Sequence, residues 1–306
     1  MWVARVCGEA SLCSSSSARE TYRLVVWILA WPSIAWAKRN VAPDLIMWVA
    51  IVFRIRFVGE VLGLDQDTAL YNHFRRYHAD LFPALPTVHR TTFTRQAANL
   101  WRIKERVWLV VLAQVPRDPV VSLVDSFPVP VCRFTRAYRC RLFQGEAAFG
   151  RDELNRQTYY GFRCHVRCCR PGVIATVSLA PANAADVAVL PELVEGTHGF
   201  AVVDRTFWSP ELIEDLGKRG RALLAPYRSA KRDPAPRRSR FLSRIRDRIE
   251  TTFGQLVERY HVKRVWARDL WHLCSRLLRK VLSHTLATLL NAALGHPPLQ
   301  LARLLT

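Results

Sequence analysis

The sequence predicts a mixed α/β fold, in which helices cover the faces of a sheet and a helical region precedes it. Apolar residues recur every three to four positions between about residues 65 and 115, which is the spacing of amphipathic helices. After residue 116 the pattern changes to the short apolar or alternating runs typical of strands. Beyond residue 185 such runs alternate with helical patterns, an order that favours a mixed sheet flanked by helices.

The helical region is predicted to contain two helices. The first covers residues 67–81 and ends before Pro83 and Pro86, since proline cannot continue a helix. The second begins near Thr91 and carries apolar residues on one face as far as Val111. Several arginines on both helices indicate either a DNA-binding unit or a helical bundle with a solvated basic face.

The region after Pro116 is predicted to form five strands and four helices. The strands cover residues 120–127, 159–169, 173–179, 200–204 and 221–225. Pro171 and Gly172 form a turn between the second and third strands, which predicts a hairpin. The helices cover residues 185–194, a segment opened by Ser209 and Pro210, and residues 239–260 and 270–294.

These changes of pattern divide the chain into four parts. They are an uncertain N-terminal segment (1–55), a helical and candidate DNA-binding region (56–116), a sheet domain (117–262) and a C-terminal helical segment (263–306).

The charge balance predicts a polyanionic partner. Lys and Arg number 45 against 25 Asp and Glu, giving a formal net charge of +20. So large a surplus repels itself unless a polyanion shares the surface, so DNA, RNA or an anionic membrane is expected. The excess of Arg over Lys suits bidentate phosphate contacts, although a GC-rich genome would produce it as well.

The eight cysteines lack the short paired spacing of a zinc knuckle or a disulfide framework, which predicts reduced, mostly buried thiols in a cytoplasmic protein. A zinc site of Cys164, Cys168 and His165 is the alternative. In a strand, however, His165 would point away from the face that both cysteines share.

Residues 24–37 form an apolar run that imitates a signal peptide. The run is too short to span a bilayer and Pro32 interrupts it, so we expect no membrane insertion. An amphipathic or buried helix, or a start codon assigned upstream of the true one, explains the run; secretion or a membrane surface is the alternative.

Three acidic residues stand in positions that suit a metal site. Asp125 lies inside an apolar strand, where a carboxylate costs several kcal/mol unless a partner such as a cation compensates it. Asp204 ends a second apolar strand, at the sheet edge where ligands usually bind. Glu250 lies on the long helix, one turn after Arg246 and on the same face.

Two strands and a helix would thus supply three carboxylates. Such a set suits two Mg²⁺ ions about 3.5 to 4 Å apart, which activate the attacking oxygen and stabilise the leaving oxygen of a phosphodiester. Taken singly, each acid fits a solvated or ion-paired side chain better than a metal ligand, and only their joint placement favours the metal site.

Four short segments carry a family resemblance. They are Val124-Asp125-Ser126-Phe127-Pro128-Val129-Pro130-Val131-Cys132, Gly161-Phe162-Arg163-Cys164-His165, Val203-Asp204-Arg205 and the helix with Arg246 and Glu250. From about Gly59 to its C-terminus, the chain resembles the DDE transposases of bacterial insertion sequence family 982.

This resemblance implies a ribonuclease H-like catalytic domain over residues 117–262, with Asp125, Asp204 and Glu250 as catalytic metal ligands. It implies two Mg²⁺ ions, with Mn²⁺ as a substitute, in cleavage at transposon ends and strand transfer into target DNA. The implied partners are terminal inverted repeats, target DNA and further copies of the chain, in the bacterial cytoplasm at the nucleoid.

The chain departs from related transposases around the second Asp and the Glu. Phe207 stands where a Tyr is usual, and Ser243 and Val257 replace the Tyr and Lys of the signature around Glu250. Arg246 is the member whose phosphate-binding role carries over. The alternative to an active transposase is a degenerate, transposon-derived protein that binds DNA without cutting it.

Two further sets of residues are predicted to contact DNA. Arg163 and His165 share the polar face of the strand over residues 159–169, which predicts a contact to the scissile DNA or an ordinary exposed strand face. Pro234 and Pro236 predict a mobile basic loop whose arginines bind phosphates without reading sequence. The loop carries Arg228, Lys231, Arg232, Arg237, Arg238 and Arg240, and the last three are the DNA-binding candidates. A solvated run of charges is the alternative.

Overall fold

The computed structural model describes residues 2–4, 43–153, 155–227 and 229–304. The apolar run 24–37, Cys7, Cys13 and the loop residue Arg228 lie outside the described residues. The chain divides into two compact units. The sheet unit contains Pro116–Val257 and Lys263–Val265, and the helical unit contains the helices before Val115 and after Trp266.

The sheet unit is built on a seven-stranded mixed sheet. Its strands are β1 (Trp2–Ala4), β2 (Asp118–Arg133), β3 (Ala148–Asp152), β4 (Gln157–Arg170), β5 (Val173–Pro181), β6 (Gly199–Val203) and β7 (Arg221–Leu224). The strand order is β1-β5-β4-β2-β6-β7, and β3 pairs with β4 outside that path. The pairs β4·β2, β5·β4, β1·β5 and β3·β4 are antiparallel, whereas β2·β6 and β6·β7 are parallel.

Strand β2 lies in the middle of this sheet because it is apolar enough to be covered on both faces. Leu123 and Val124 are buried there, between β4 on one side and β6 on the other. The strand runs beyond the predicted residues 120–127, with a register shift after Pro130. Gly161 of β4 permits this close pairing, since a Cβ atom there would lie 2.4 Å from the Val129 carbonyl oxygen.

Helices α6 (Asp186–Val194) and α7 (Pro210–Lys218) follow strands of the sheet unit, as predicted. Their apolar sides form one buried core with β2, β6 and β7, including Leu190, Leu216 and Leu223. Ser209 accepts a hydrogen bond from the Leu212 backbone N–H at 3.5 Å, so it caps α7 as expected. The mixed α/β class is therefore confirmed, and the sequence patterns missed β1, β3 and the short helix α5 (Phe134–Ala137).

The long helix α8 (Pro236–Gly254) starts earlier than predicted. Pro236 occupies its first turn, where the missing N–H costs nothing, so this proline starts the helix instead of preventing it. The α-helix ends at Gly254, and a π-helical segment, Gln255–Arg259, replaces the predicted last turn.

The helical unit comprises α1 (Pro43–Val61), α2 (Asp67–Tyr77), α3 (Arg90–Asn99), α4 (Trp101–Gln114) and α9 (Leu270–Ala293). The second predicted helix is broken at Leu100 into α3 and α4. Helix α9 packs against α1, α3 and α4, so the C-terminal segment shares their core. Among the described residues, every helix is too short or too polar to cross a bilayer.

Helix α9 is buried nearly all round, so its polar side chains need partners inside the unit. The Trp108 indole N–H donates to the Thr285 hydroxyl at 3.1 Å, and Lys104 Nζ donates to the Ser275 hydroxyl at 2.6 Å. These bonds join α9 to α4 and fix the rotation of the long helix about its axis.

The same helix contributes to a buried charge cluster, which we define as five cations and three acids. The cations are Arg56, Lys104, Arg276, Arg279 and Lys280, and the acids are Glu60, Asp65 and Asp67. Breaking a buried ion pair leaves an uncompensated charge, which costs more than the pair contributes. The cluster therefore selects one register of α9 against α1 and α2.

We predict that His284 makes stability depend on pH. Burial lowers the pKa of His284 to about 4, so the folded state keeps the ring neutral while the unfolded chain protonates it near its usual pKa of about 6.5. The stabilisation is complete above about pH 6.5 and is lost as the pH falls to about 4. The expected loss is about 3 kcal/mol, at about 1.4 kcal/mol for each unit of pKa shift.

Urea unfolding between pH 7 and pH 4.5 measures this effect, with His284→Gln as the variant that cannot take the proton. The slope of unfolding free energy against pH should be shallower in the variant. Equal slopes in the two proteins would contradict the assignment to His284.

Candidate active site

Asp125 and Asp204 are brought together by the sheet itself. Strands β2 and β6 are parallel neighbours, and Val124 pairs with Val203. The next residue on each strand is therefore an aspartate at the same level of the sheet, where β6 ends. The Asp125 side chain is 19% exposed and that of Asp204 is 31% exposed, so both are sheltered but accessible.

Arg246 of α8 bridges these two carboxylates. Its Nε lies 3.5 Å from Asp125 Oδ2, and its Nη1 contacts Asp204 Oδ1. Two neighbouring carboxylates repel each other, and a guanidinium between them compensates both charges. In this structure the arginine thus supplies the positive charge that the pair requires.

The pKa of Asp125 reflects both its burial and the positive charge of Arg246. Burial raises the pKa of Asp125 to about 6, against the lowering effect of Arg246 and of the Ser126 backbone N–H. That N–H donates to Asp125 Oδ1 at 2.8 Å. The Asp204 and Asp186 carboxylates raise the pKa further by repulsion. A second cation beside Asp125 would therefore be favourable.

Glu250 lies one turn after Arg246 on α8, but its side chain is exposed to solvent. Within the described part of the chain, no three His, Cys, Asp or Glu side chains are grouped closely enough to hold a metal ion. The structure therefore brings together two of the three predicted acids, and joins them through Arg246.

The two aspartates nevertheless fit a hard divalent cation. Their donors are carboxylate oxygens, which Mg²⁺ and Mn²⁺ prefer, and burial, which raises the pKa of Asp125, makes a nearby positive charge favourable for its ionised form. The position of Arg246 marks where a positive charge is stabilised in this unit.

Helix α8 is held against the sheet by residues in the turns that follow Arg246. Ile249 is fully buried, and the Phe253 ring meets Phe127 of β2 edge to face at 4.9 Å between centroids. The Thr252 hydroxyl donates to the Gly172 carbonyl oxygen at 3.0 Å. These contacts fix the height of Arg246 above the two aspartates.

His165 and Arg163 do not form the exposed strand face that their alternation predicted. His165 is fully buried and its Nε2 lies 2.8 Å from Asp186 Oδ1. Arg163 Nη1 lies 3.1 Å from Asp186 Oδ2, and its side chain is 21% exposed. The reason is that α6 covers this face of β4 and presents Asp186 to both side chains.

Asp186 is the residue at this site that the sequence patterns did not indicate. The Ser126 hydroxyl donates to it at 3.2 Å, which ties it to the residue after Asp125. Although burial opposes ionisation, the His165 hydrogen bond and the Arg163 charge hold the pKa of Asp186 below its usual value. An Asp in the first turn of a helix is ordinary, so nothing in the sequence distinguishes it.

Arg237, Arg238 and Arg240 are exposed, but they lie on the first turns of α8 and not on a mobile loop. The predicted loop is helical because Pro236 begins the helix instead of interrupting it. The three arginines therefore have fixed positions on a helix that also carries Arg246.

The alternative zinc site is not supported by the surroundings of its residues. Cys164 and Cys168 are fully buried, and burial raises the pKa of the Cys168 thiol, which opposes the thiolate that zinc needs. His165 faces Asp186 instead. Among the described cysteines, Cys164, Cys168, Cys169 and Cys274 are buried, as expected.

The sequence pattern of a protein family described as a transposase DDE domain matches residues 117–269, which is half of the chain. The chain belongs to the DDE transposase family. The matched region of this DDE transposase contains Asp125, Asp204, Arg246 and Glu250.

Among solved structures, the transposase is similar to a piggyBac transposase, described as a synaptic complex with hairpin DNA determined by cryo-EM. The TM-score is 0.49 and the sequence identity is 10%, over 95% of this chain and 80% of that one. No curated protein matches the chain.

We predict that Asp186→Asn destabilises the transposase by about 3 kcal/mol, because it removes the negative charge from beside the buried His165 and Arg163. Urea unfolding measures the change. The matched control is Asp215→Asn, which removes an exposed charge paired with Arg219 and should cost well under about 1 kcal/mol. Similar losses in the two variants would show that the buried network contributes nothing beyond a surface pair.

Proposed function

We propose that this chain is the transposase of a bacterial insertion sequence of family 982, with a ribonuclease H-like catalytic domain. It acts at the nucleoid, cleaving the transposon ends and joining them to target DNA. The observation that carries the proposal is the pair Asp125 and Asp204 on adjacent parallel strands, bridged by Arg246, inside a matched DDE domain. The central mixed sheet with flanking helices supports the same class of catalytic domain.

Asp125, Asp204 and Glu250 would hold Mg²⁺, which supplies an activated oxygen nucleophile and stabilises the leaving oxygen. Asp125 and Asp204 already share one level of the sheet, so they need little rearrangement. Glu250 shares a helix face with Arg246 and lies one turn, about 6 Å, further along α8, so it would join the aspartates only if α8 shifts along its axis.

Arg246 has two roles in this proposal. It compensates the two aspartates through the ion pairs described above, and a divalent cation held by the same carboxylates would take over that compensation. Its guanidinium is then available to bind a DNA phosphate next to the reacting bond, as the resemblance implies. Cation exchange at the aspartates would thereby couple metal loading to DNA binding.

A second candidate function is a DNA-binding protein without cleavage activity. The exposed position of Glu250 favours it, together with Ser243 and Val257 in the signature around that residue. A strand-transfer assay on the cognate transposon ends separates the two functions. Products in Mg²⁺ or Mn²⁺, and none with Ca²⁺ or a chelator, support the transposase; DNA binding without products supports the second function.

We predict that Asp125→Asn, Asp204→Asn and Glu250→Gln each abolish cleavage and leave DNA binding nearly intact. Each change removes one ligand charge with little change of shape, and should cost several kcal/mol of transition-state stabilisation. Cleavage and gel-shift assays measure the two effects. Glu211→Gln, at an exposed acid of α7, serves as the control and should cleave normally. A variant that keeps more than about a tenth of the activity would remove its residue from the site.

We predict that Arg237, Arg238 and Arg240 bind DNA phosphates. Replacing all three by Ala should weaken binding to all DNA sequences about equally. The slope of log affinity against log salt should fall by roughly 2 to 3, at about 0.9 for each lost phosphate contact.

The control for this prediction is Lys218→Ala with Arg219→Ala, since both cations are exposed and already paired with acids on α7. Its salt slope should change little. An unchanged slope in the triple variant, or a loss confined to transposon ends, would contradict a general phosphate contact.

A further inference from the structure

The helical unit contains a cavity of about 380 Å³ beside the buried charge cluster. Arg56, Asp67 and Arg276 of that cluster line it, together with Trp266, Arg268 and His272. All of these residues belong to the helical unit. The volume lies within the range of small-molecule sites, about 300 to 1,000 Å³.

The buried charge cluster has more cations than its acids compensate. Asp65 lies 2.7 Å from Arg276 and 2.6 Å from Lys280, and Asp67 lies 2.9 Å from Arg56 and 3.0 Å from Arg279. Each acid is therefore already shared between cations, and Glu60 is shared in the same way by Arg279 and Lys280.

Proton loss from one lysine does not remove the surplus. Lys104 donates to the Ala97 carbonyl oxygen and to the Ser275 hydroxyl, and burial holds its pKa well below the usual value. If Lys104 is neutral, four cations of the cluster still face three acids among the described residues. A buried charge without a partner is costly, so a further anion beside these cations is favourable.

Unused donors lie next to the cavity. The Nε–H groups of Arg56 and Arg276 are buried and have no hydrogen-bond acceptor among the described residues, while both residues line the cavity. Asp67 is engaged by Arg56 and Arg279, and Asp269, the other lining acid, caps α9 and holds His272. These acids are therefore not available to satisfy the free donors.

The outer wall of the cavity is aromatic and basic. The Trp266 side chain is 52% exposed, and its backbone has a positive φ of 36°, a conformation that costs energy for any residue other than glycine. The Arg276 guanidinium lies 5.9 Å from the Trp266 ring centroid. Arg268 is exposed at the same opening.

We propose that this cavity binds a phosphate group. The Nε–H groups of Arg56 and Arg276 and the guanidinium of Arg268 donate to its oxygens, and its charge completes the buried cluster. Arginine side chains suit phosphate because they donate several hydrogen bonds in a planar array. The phosphate comes either from free inorganic phosphate or from a nucleic acid, in which case a base stacks on Trp266.

Calorimetry on the full chain tests the phosphate site, with inorganic phosphate against chloride at equal ionic strength. Wild-type protein should bind one phosphate, and its Tm should rise with phosphate concentration because the folded state alone binds it. Arg268→Ala should weaken binding about tenfold, as expected for the loss of a charge-assisted hydrogen bond. The control Arg106→Ala removes the same charge from an exposed position of α4 outside the cavity, and should bind phosphate normally.

Absence of phosphate binding by wild-type protein would overturn the proposal. Equal weakening by Arg268→Ala and Arg106→Ala would overturn it as well, because it would reduce the effect to general charge. Circular dichroism of both variants establishes that each is folded before binding is compared.

A 5′-phosphorylated thymidine dinucleotide and its unphosphorylated form distinguish the two sources. Tighter binding of the phosphorylated form than of inorganic phosphate, lost in Trp266→Ala, supports a nucleic-acid source. Binding of inorganic phosphate alone supports the free ion. Equal binding of both dinucleotides would contradict a site that recognises the 5′-phosphate.

Discussion

The contact of one guanidinium with two aspartates joins three elements of the sheet unit: β2, the end of β6 and α8. Asp125 and Asp204 meet because their strands are parallel and in register, and this places two negative charges at one edge. Arg246 compensates both only if α8 crosses at one height and rotation. The sheet, the end of β6 and the long helix are therefore mutually dependent.

The apolar and polar contacts around this centre serve different purposes. Ile249 and the Phe127–Phe253 ring pair supply burial, which stabilises α8 on the sheet without specifying its chemistry. The buried Asp186 network fixes the neighbouring strands, since each of its charged groups requires the others. A carboxylate at Asp125 is thereby held in a rigid environment that favours additional positive charge.

The helical unit also contains buried charges, and there they are compensated by a larger number of charged side chains. Helix α9 brings Arg276, Arg279 and Lys280 into a core where Glu60 and Asp65 receive them. Such clusters contribute little net stability compared with apolar packing, but they penalise every other arrangement of the helices. The cluster therefore fixes the register of these helices, and Arg56, Asp67 and Arg276 of the cluster also line the cavity.

The sequence by itself determined the mixed α/β class, most of the strands and the candidate acids. The spacing of apolar residues and the length of apolar runs indicate which side chains face a core. It did not determine that Arg246 would bridge Asp125 and Asp204, or that Asp186 would pair with His165. The residues of each contact are far apart in the chain. Only the tertiary structure decided those contacts. Burial of a charged side chain depends on which distant element covers it, and local patterns carry no information about that partner.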